Sequence, residues 1–270
     1  MRRGAAPAKI NLSLVVGPRR PDGRHELVTV YQRVALSDHL AIERSPDLRV
    51  HGFPGDTLVR RALESVADGS GESFAARVKK RIPVATGLGG GSSDAATALR
   101  LANELRGEPL PEEELRARAC ALGADVSYFL ADGPQLGMGD GSELTAVDLP
   151  QDYWVLLVLP KGAEKRSTAD VYAAFDARAG GHGYSQRRAD LLAALESVVR
   201  PRDLAALPGN DLASSPLAEE LLREGAFRAD VTGAGPVVYG LFLHGDHARE
   251  ARRRISPKGR TWLTTPAWYR

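Results

Sequence analysis

Residues 83–96 read PVATGLGGGSSDAA, and no other part of the 270-residue chain is as informative. Four of the five residues from Gly87 to Gly91 are glycine, and they lie between a predicted strand and a predicted helix. Glycine lets the backbone turn tightly and approach a ligand closely. The first N–H groups of a helix are free and carry the positive end of its dipole. The stretch therefore predicts an anion site suited to phosphate groups.

This stretch differs from the two best-known nucleotide-binding loops. It has no lysine before its serines, which the Walker pattern requires. No acidic residue follows it at the end of a second parallel strand about 20 residues on, which dinucleotide binding requires. Ser92 and Ser93 supply hydroxyls that suit phosphate oxygens or magnesium. The alternative interpretation is a flexible loop followed by a helix that Ser92 caps.

The rest of the chain mixes strand and helix patterns. Alternation of apolar and polar residues predicts strands that include 8–16, 26–36 and 39–44. Helical spacing of apolar residues predicts helices that include 57–67, capped by Asp56, and 92–105 and 168–177. Because the elements do not alternate strictly, we predict an α+β fold. A weak linker near residue 148 divides the chain into predicted domains at 1–148 and 149–270.

Composition excludes several classes of protein. The chain has 36 basic and 34 acidic side chains, a balance that argues against a nucleic-acid partner. It has no run of about 18 apolar residues, so we expect no membrane partner. Cys120 is the only cysteine, which excludes an internal disulfide and favours a cytoplasmic location. Its apolar neighbours predict a core position for Cys120, whereas the basic run Lys79–Arg81 is predicted to lie on a solvated face.

The glycine stretch resembles the phosphate loop of the GHMP kinases, a family named for galactokinase, homoserine, mevalonate and phosphomevalonate kinases. Two other segments match that family in the same order along the chain. PAKINL at 7–12 resembles its N-terminal motif, and VTGAGP at 231–236 resembles its C-terminal glycine loop. The resemblance implies the GHMP kinase fold, with two domains and an active site in the cleft between them. It also implies ATP and Mg²⁺ as cofactors.

Three shorter segments resemble one branch of the family. They are PDGRH at 21–25, LGADV at 122–126 and NDL at 210–212. The resemblance implies phosphorylation of the 2-position hydroxyl of a cytidine-diphosphate-linked polyol, in the non-mevalonate route to isoprenoid precursors. One alternative is another GHMP kinase, acting on mevalonate, phosphomevalonate or homoserine. A second is a catalytically silent nucleotide-binding regulator.

The resemblance also implies which residues act. Asp125 is the candidate catalytic base, and Lys9 is its partner, whose charge would stabilise the ionised forms of the acceptor hydroxyl and of Asp125. The alternative for Asp125 is an ordinary helix cap, and that for Lys9 is a solvated lysine at the start of a strand.

Further residues are assigned to the two ligands. Those predicted to bind ATP are Pro83, Gly87, Leu88, Gly89, Gly90, Gly91, Ser92 and Ser93, and Ser93 is also the candidate Mg²⁺ ligand. Those predicted to bind the acceptor are Asn11, His25, Tyr31, Thr168, Tyr172 and Gly233. His25 would contact the cytosine edge, and the two tyrosines would sandwich the base, with core packing as the alternative for each. Arg24 departs from the aromatic residue that this branch often has there. A monomer and a homodimer both stay open.

Overall fold

The structure, a computed structural model, describes residues 1–53, 57–163 and 167–267. The described strands are β1 Arg2–Arg19, β2 His25–Arg44, β3 Arg49–His51, β4 Phe74–Lys79, β5 Gln135–Met138, β6 Glu143–Ala146, β7 Trp154–Pro160, β8 Arg228–Val231, β9 Val238–Phe242 and β10 Gly259–Thr264. The described α-helices are α1 Thr57–Ala67, α2 Gly90–Asn103, α3 Glu112–Leu122, α4 Ala124–Leu130, α5 Thr168–Ala177, α6 Tyr184–Glu196, α7 Pro216–Arg223 and α8 Gly245–Ile255. Two short 3₁₀ helices lie at Pro201–Ala206 and Ser256–Lys258. The predicted α+β class is confirmed.

The observed elements agree closely with the sequence patterns in most places. Helices α1 and α5 have the predicted bounds, whereas α2 begins two residues before the predicted start, at Gly90. The two strands predicted at 26–36 and 39–44 are one strand, β2. Asp56, the predicted cap of α1, lies outside the described residues. Within the described residues, no helix combines the length and apolar character that a membrane crossing needs.

The chain divides into two compact units, and neither is continuous in sequence. Unit 1 contains residues 1–8, 36–84 and 89–132, and unit 2 contains residues 9–35, 85–88 and 133–270. Strands β1 and β2 each supply residues to both units. This division differs from the predicted single boundary after residue 148, because a long strand can contribute to two cores, which one boundary in sequence cannot represent.

Unit 1 is built on the second half of β2. Residues 39–44 of β2 pair antiparallel with β4, and β4 pairs parallel with β3. Helix α1 buries Val59, Ala62, Leu63 and Val66, the i, i+3, i+4, i+7 stripe that faces a core. Cys120 is exposed, so its predicted core position is wrong. The buried face of α3 is instead formed by Leu115 and Ala119, one turn apart, and Cys120 follows Ala119 on the solvent side.

Unit 2 contains a separate antiparallel sheet with the strand order β10-β7-β9-β8. Helices α7 and α8 contribute apolar side chains to the core on this sheet, together with residues of β7, β8 and β9. The first half of β2 pairs with β5 over Thr29–Tyr31, and β5 forms a hairpin with β6. The glycine-rich segment at 137–141 is thus part of the β5–β6 hairpin and its turn.

Arg228 holds β1 in place within unit 2. Its side chain is buried and donates hydrogen bonds to the carbonyl oxygens of Leu12, Leu204, Leu207 and Pro208. It also donates to the hydroxyl of Tyr239 at 3.2 Å. Burial raises the pKa of Tyr239 to about 12, although the positive charge of Arg228 opposes the shift. These contacts fix the strand that carries the candidate catalytic lysine.

Tyr239 should make the folded protein sensitive to alkali. Its pKa is about 12 in the folded protein and 10.0 in the ordinary side chain, so in that pH interval the unfolded state loses a proton that the folded state keeps. The resulting loss of stability is therefore absent below this pH interval and complete above it. We expect the free energy of unfolding to fall by about 3 kcal/mol across the interval. Urea denaturation over this pH range measures it, and an equally steep fall in Tyr239→Phe would contradict the assignment.

Candidate active site

Lys9 lies in β1 with its ammonium group inside unit 2. Its Nζ donates to Oδ1 of Asn11 at 2.8 Å and lies 5.5 Å from the centroid of the Tyr31 ring. Asn11 is held in turn, because its Nδ2 donates to Thr29 Oγ1 at 2.8 Å and its backbone N–H to Thr232 Oγ1 at 3.1 Å. Lys9 is 4% exposed, so the alternative of a solvated lysine is wrong. A buried ammonium group whose hydrogen-bond acceptor is fixed is held in one orientation, so it can stabilise negative charge on a ligand.

The first part of the glycine stretch is held by the same unit. The backbone N–H of Lys9 donates to Leu88 O at 3.0 Å, and that of Val237 donates to Thr86 O at 3.3 Å. Gly87 has φ 83°, and a Cβ there would lie 2.1 Å from Thr232 O. Only glycine fits such a position without displacing the backbone. Residues 86–88 are thus tied to β1 and to the segment that contains Gly233.

The second part of the stretch begins a helix in unit 1. Gly89, at φ 68°, is the N-cap of α2 and provides no side-chain cap. Ser92 is the third residue of α2 and therefore does not cap it, so that alternative is wrong. Gly91 is exposed, and a Cβ on it would meet no atom within 4 Å. The N-terminal turn of α2 is open to a ligand at this residue, as an anion site requires.

The two serines of the stretch differ in their surroundings. Ser92 is half-buried, as is Pro83 before the loop, whereas Ser93 is fully buried. No described residue hydrogen-bonds to Ser93 Oγ, and a buried hydroxyl without a partner is uncommon. An oxygen of this kind is a hard ligand of the type that Mg²⁺ prefers. The described residues contain no group of three or more His, Cys, Asp or Glu that could hold a metal ion.

Lys80, Asp38 and Asp94 form an ion cluster in unit 1 that the sequence patterns did not reveal. Lys80 Nζ lies 2.5 Å from Asp38 Oδ2 and 2.6 Å from Asp94 Oδ2. Burial alone would lower the pKa of Lys80, but the carboxylates of Asp94 and Asp38 more than offset this and raise it. The predicted solvated face for the basic run is therefore wrong for Lys80. Asp94 directly after the two serines was the one available signal.

Asp125 is the second residue of α4, in unit 1. The N-cap of α4 is Gly123, so the alternative of an ordinary helix cap for Asp125 is wrong. Its side chain is half-buried. An ionised carboxylate is favoured in the first turn of a helix by the backbone dipole. Asp125 thus lies in the first turn of a helix and is partly accessible, as a proton acceptor requires.

His25 lies at the start of β2, where α5 surrounds it with three side chains. Its ring stacks on Tyr172, with centroids 4.7 Å apart, and meets Phe175 edge-on at 5.9 Å. Its Nε2 lies 2.7 Å from Asp176 Oδ1. Asp176 carried no sequence signal beyond its place one helical turn after Tyr172. Thr168, the first residue of α5, is exposed and follows the N-cap Ser167.

Tyr31 and Arg24 are placed differently from each other. Tyr31 is buried, and a Cβ on Gly137 or Gly141 would lie 2.7 Å from its side chain, so glycine at both positions makes room for it. Arg24 is exposed and forms an ion pair with Asp140 in the turn between β5 and β6. The sandwich of a base between Tyr31 and Tyr172 stays a prediction.

Two family models match the chain. The model for the GHMP kinases N terminal domain matches residues 57–133, and the model for the GHMP kinases C terminal matches residues 213–260. A solved mevalonate kinase superimposes with a TM-score of 0.75 over 98% of this chain and 99% of that one, at 13% identity. At that identity the likeness shows the fold alone. The fold and the site thus define a small-molecule kinase of the GHMP type.

Relatives of the same length narrow this class. The chain is 37% identical to the 4-diphosphocytidyl-2-C-methyl-D-erythritol kinase of Geobacter sulfurreducens, over 96% of this chain and 95% of that relative. It is 36% identical to the kinase of the same name from Moorella thermoacetica, over 93% of each. A crystal structure of 4-(cytidine 5'-diphospho)-2C-methyl-D-erythritol kinase matches with a TM-score of 0.80 and 29% identity, over 99% of this chain and 100% of that one. The chain belongs to the 4-diphosphocytidyl-2-C-methyl-D-erythritol kinase family of GHMP kinases.

Proposed function

We propose that this kinase transfers the γ-phosphoryl group of ATP to the 2-hydroxyl of 4-diphosphocytidyl-2-C-methyl-D-erythritol. The observation that carries the proposal is the position of Lys9. Its ammonium group is buried and oriented by Asn11, and its backbone N–H bonds to Leu88 of the glycine stretch. The residue that carries this fixed cation is thus bonded through its backbone to a loop suited to phosphate, and phosphoryl transfer needs both a cation and a phosphate site.

The nucleotide is assigned to the glycine stretch. The free N–H groups at the start of α2 would bind phosphate oxygens, and Gly91 leaves room for the phosphates to approach the backbone. Ser92 adds a hydroxyl on the accessible side. Mg²⁺ would neutralise phosphate charge when bound, held by phosphate oxygens and by Ser93. Pro83, Gly87 and Leu88 shape the loop before the helix.

In the chemical step the protein has to accept only one proton, that of the acceptor hydroxyl. The acceptor hydroxyl attacks the γ-phosphorus, a new O–P bond forms, and the bond to the leaving ADP oxygen breaks. The hydroxyl proton goes to the carboxylate of Asp125. Lys9 stabilises the negative charge that develops on the attacking oxygen. Because the transition state of phosphoryl transfer is loose, the proton moves late and positioning supplies most of the rate enhancement.

The cytidyl end of the acceptor is assigned to His25 and α5. Because Asp176 engages Nε2 of His25, the other ring nitrogen and the backbone are the groups available to the cytosine edge. Tyr172 and Tyr31 offer aromatic faces for the base. Asn11, Thr168 and Gly233 are assigned to the polyol and diphosphate. We expect the protein to act in the cytoplasm, as a monomer or homodimer, without a nucleic-acid or membrane partner.

ADP release tests this proposal. The purified protein receives ATP and Mg²⁺ with 4-diphosphocytidyl-2-C-methyl-D-erythritol, mevalonate or homoserine as acceptor. We expect turnover with the cytidyl compound alone. His25→Ala should raise the KM for that compound by about ten-fold and leave the KM for ATP unchanged, because the histidine contacts only the acceptor. Turnover with mevalonate or homoserine would show that the proposed acceptor is wrong. ATP binding without turnover of any acceptor would favour a catalytically silent regulator.

A further inference from the structure

The glycine stretch has no lysine of its own, yet the structure holds one beside it. Lys80 lies three residues before Pro83 in the sequence, and its side chain extends to Gly90, the first residue of α2. A Cβ on Gly90 would lie 3.4 Å from Lys80 Nζ and 3.0 Å from Ile82 Cγ2. The ammonium group is thus within a few ångströms of the backbone that begins the helix. All of these residues belong to unit 1.

Two aspartates fix this ammonium group. Its Nζ donates to Asp38 Oδ2 at 2.5 Å and to Asp94 Oδ2 at 2.6 Å. Asp38 is itself immobilised, because its Oδ1 accepts the backbone N–H groups of Arg81 and Ile82. A lysine side chain has many rotamers, and such bonds remove the entropy cost of ordering it when a ligand binds.

The cluster presents its positive member to solvent. The side chain of Lys80 is 16% exposed, whereas those of Asp38 and Asp94 are 0% exposed. A ligand that arrives from solvent can therefore reach only the lysine of these three. An ammonium group has three N–H donors, and two are used by the aspartates. In the described part of the chain the third N–H has no hydrogen-bond acceptor, and Nζ lies 5.8 Å from the centroid of the Phe53 ring.

We propose that Lys80 is the phosphate-binding lysine of this kinase, held beside α2 by Asp38 and Asp94 and donating its third N–H to a phosphate group of the nucleotide. The proposal rests on the proposed function only in taking ATP as the ligand of the glycine stretch. It does not depend on which acceptor is phosphorylated. The role that the Walker lysine has inside its loop is thus performed here by a residue ahead of the loop.

A purely structural cluster would behave differently from a phosphate-binding one. If Lys80 only joined β2, β4 and α2, its loss would loosen the loop and weaken every nucleotide or nucleoside equally. If it donates to phosphate, its loss should weaken ATP and leave adenosine nearly unaffected. The ratio of the two affinities separates the roles, because a charge-assisted hydrogen bond acts only on the charged ligand.

The experiment measures the dissociation constants of ATP and adenosine by equilibrium titration, without acceptor. The first variant is Lys80→Met, which keeps the aliphatic stem and removes the charge. Lys80→Met alone leaves two buried carboxylates without their counter-charge. The second variant therefore combines Lys80→Met with Asp94→Asn, which keeps the net charge of the cluster at its wild-type value. Lys79→Met is the matched control, since it removes a neighbouring exposed charge outside the cluster. Thermal unfolding monitors the fold of each protein.

We expect both Lys80 variants to bind ATP about ten- to a hundred-fold more weakly, with adenosine changed less than about two-fold. The Lys79→Met control should match the wild type for both ligands. Equal losses for ATP and adenosine, or unchanged ATP binding in the folded double variant, would overturn the proposal. Failure of the proposed function has a separate signature, because wild-type ATP binding with no phosphorylation of the cytidyl acceptor rejects the acceptor and leaves Lys80 assigned.

Discussion

Asp125→Asn is expected to lower kcat by roughly two orders of magnitude or more, with the dissociation constant for ATP near the wild-type value. Asparagine has the shape of aspartate but cannot accept the hydroxyl proton. The side chain lies at the second position of α4, whose N-cap is Gly123. The loss of a favourable charge at the helix start should cost about 0.3–1 kcal/mol of stability. Single-turnover kinetics with saturating ATP measure the chemical step.

A matched control for this variant exists elsewhere in the chain. Asp246 is also the second residue of a helix, α8, and pairs with Arg249 on the surface. Asp246→Asn removes the same charge from the same helical position away from the proposed site. It should change stability by a similar amount and leave kcat unchanged. A fully active Asp125→Asn protein, or equal losses of kcat in the two variants, would reject Asp125 as the base.

Gly91→Val is the second change with a large expected effect, a loss of ATP affinity of roughly a hundred-fold or more. Blocking one or two charge-assisted bonds between phosphate and backbone N–H groups, at about 1.5–3 kcal/mol each, accounts for this magnitude. The fold should tolerate the change, since a Cβ at Gly91 meets no atom within 4 Å. Valine also has a slightly higher helix propensity than glycine.

The measurement pairs nucleotide titration with thermal unfolding. Gly91→Ala should give a smaller loss of ATP affinity than Gly91→Val, because the obstruction grows with the side chain. Gly87→Ala provides the contrast, since its Cβ would lie 2.1 Å from Thr232 O and should lower the melting temperature. Normal ATP affinity in a folded Gly91→Val protein would show that the phosphates do not bind at the start of α2.

The elements that sequence patterns predicted well are those with strong local signals. Helices α1 and α5 have the expected bounds because their apolar spacing and first-turn residues act within a few residues. The exposed position of Cys120 was missed, since a short helix with several apolar residues does not reveal which of its faces is buried. The division into discontinuous units was also missed, because it depends on where two long strands contribute their residues.

The candidate site was predicted in part for the same reason. The glycine stretch, Lys9 and Asp125 belong to short motifs, and their chemistry can be inferred from residue types in order. The partners of these residues could not be inferred. Lys80 was assigned to a solvated face because it lies in a run of three basic residues, and nothing local marks Asp38 as its counter-charge. Asp176 likewise meets His25 across 151 positions of sequence.

The sequence by itself determined the class of this protein, through a loop whose glycines and serines leave few chemical options and through motifs in a family-specific order. Tertiary structure alone decided which buried polar groups meet. Asn11 is held by Thr232 from 221 positions away, and Lys80 by Asp38 from 42 positions away. A buried charge or amide must find a partner to offset its loss of hydration, and that partner is selected by three-dimensional packing, which no local pattern records.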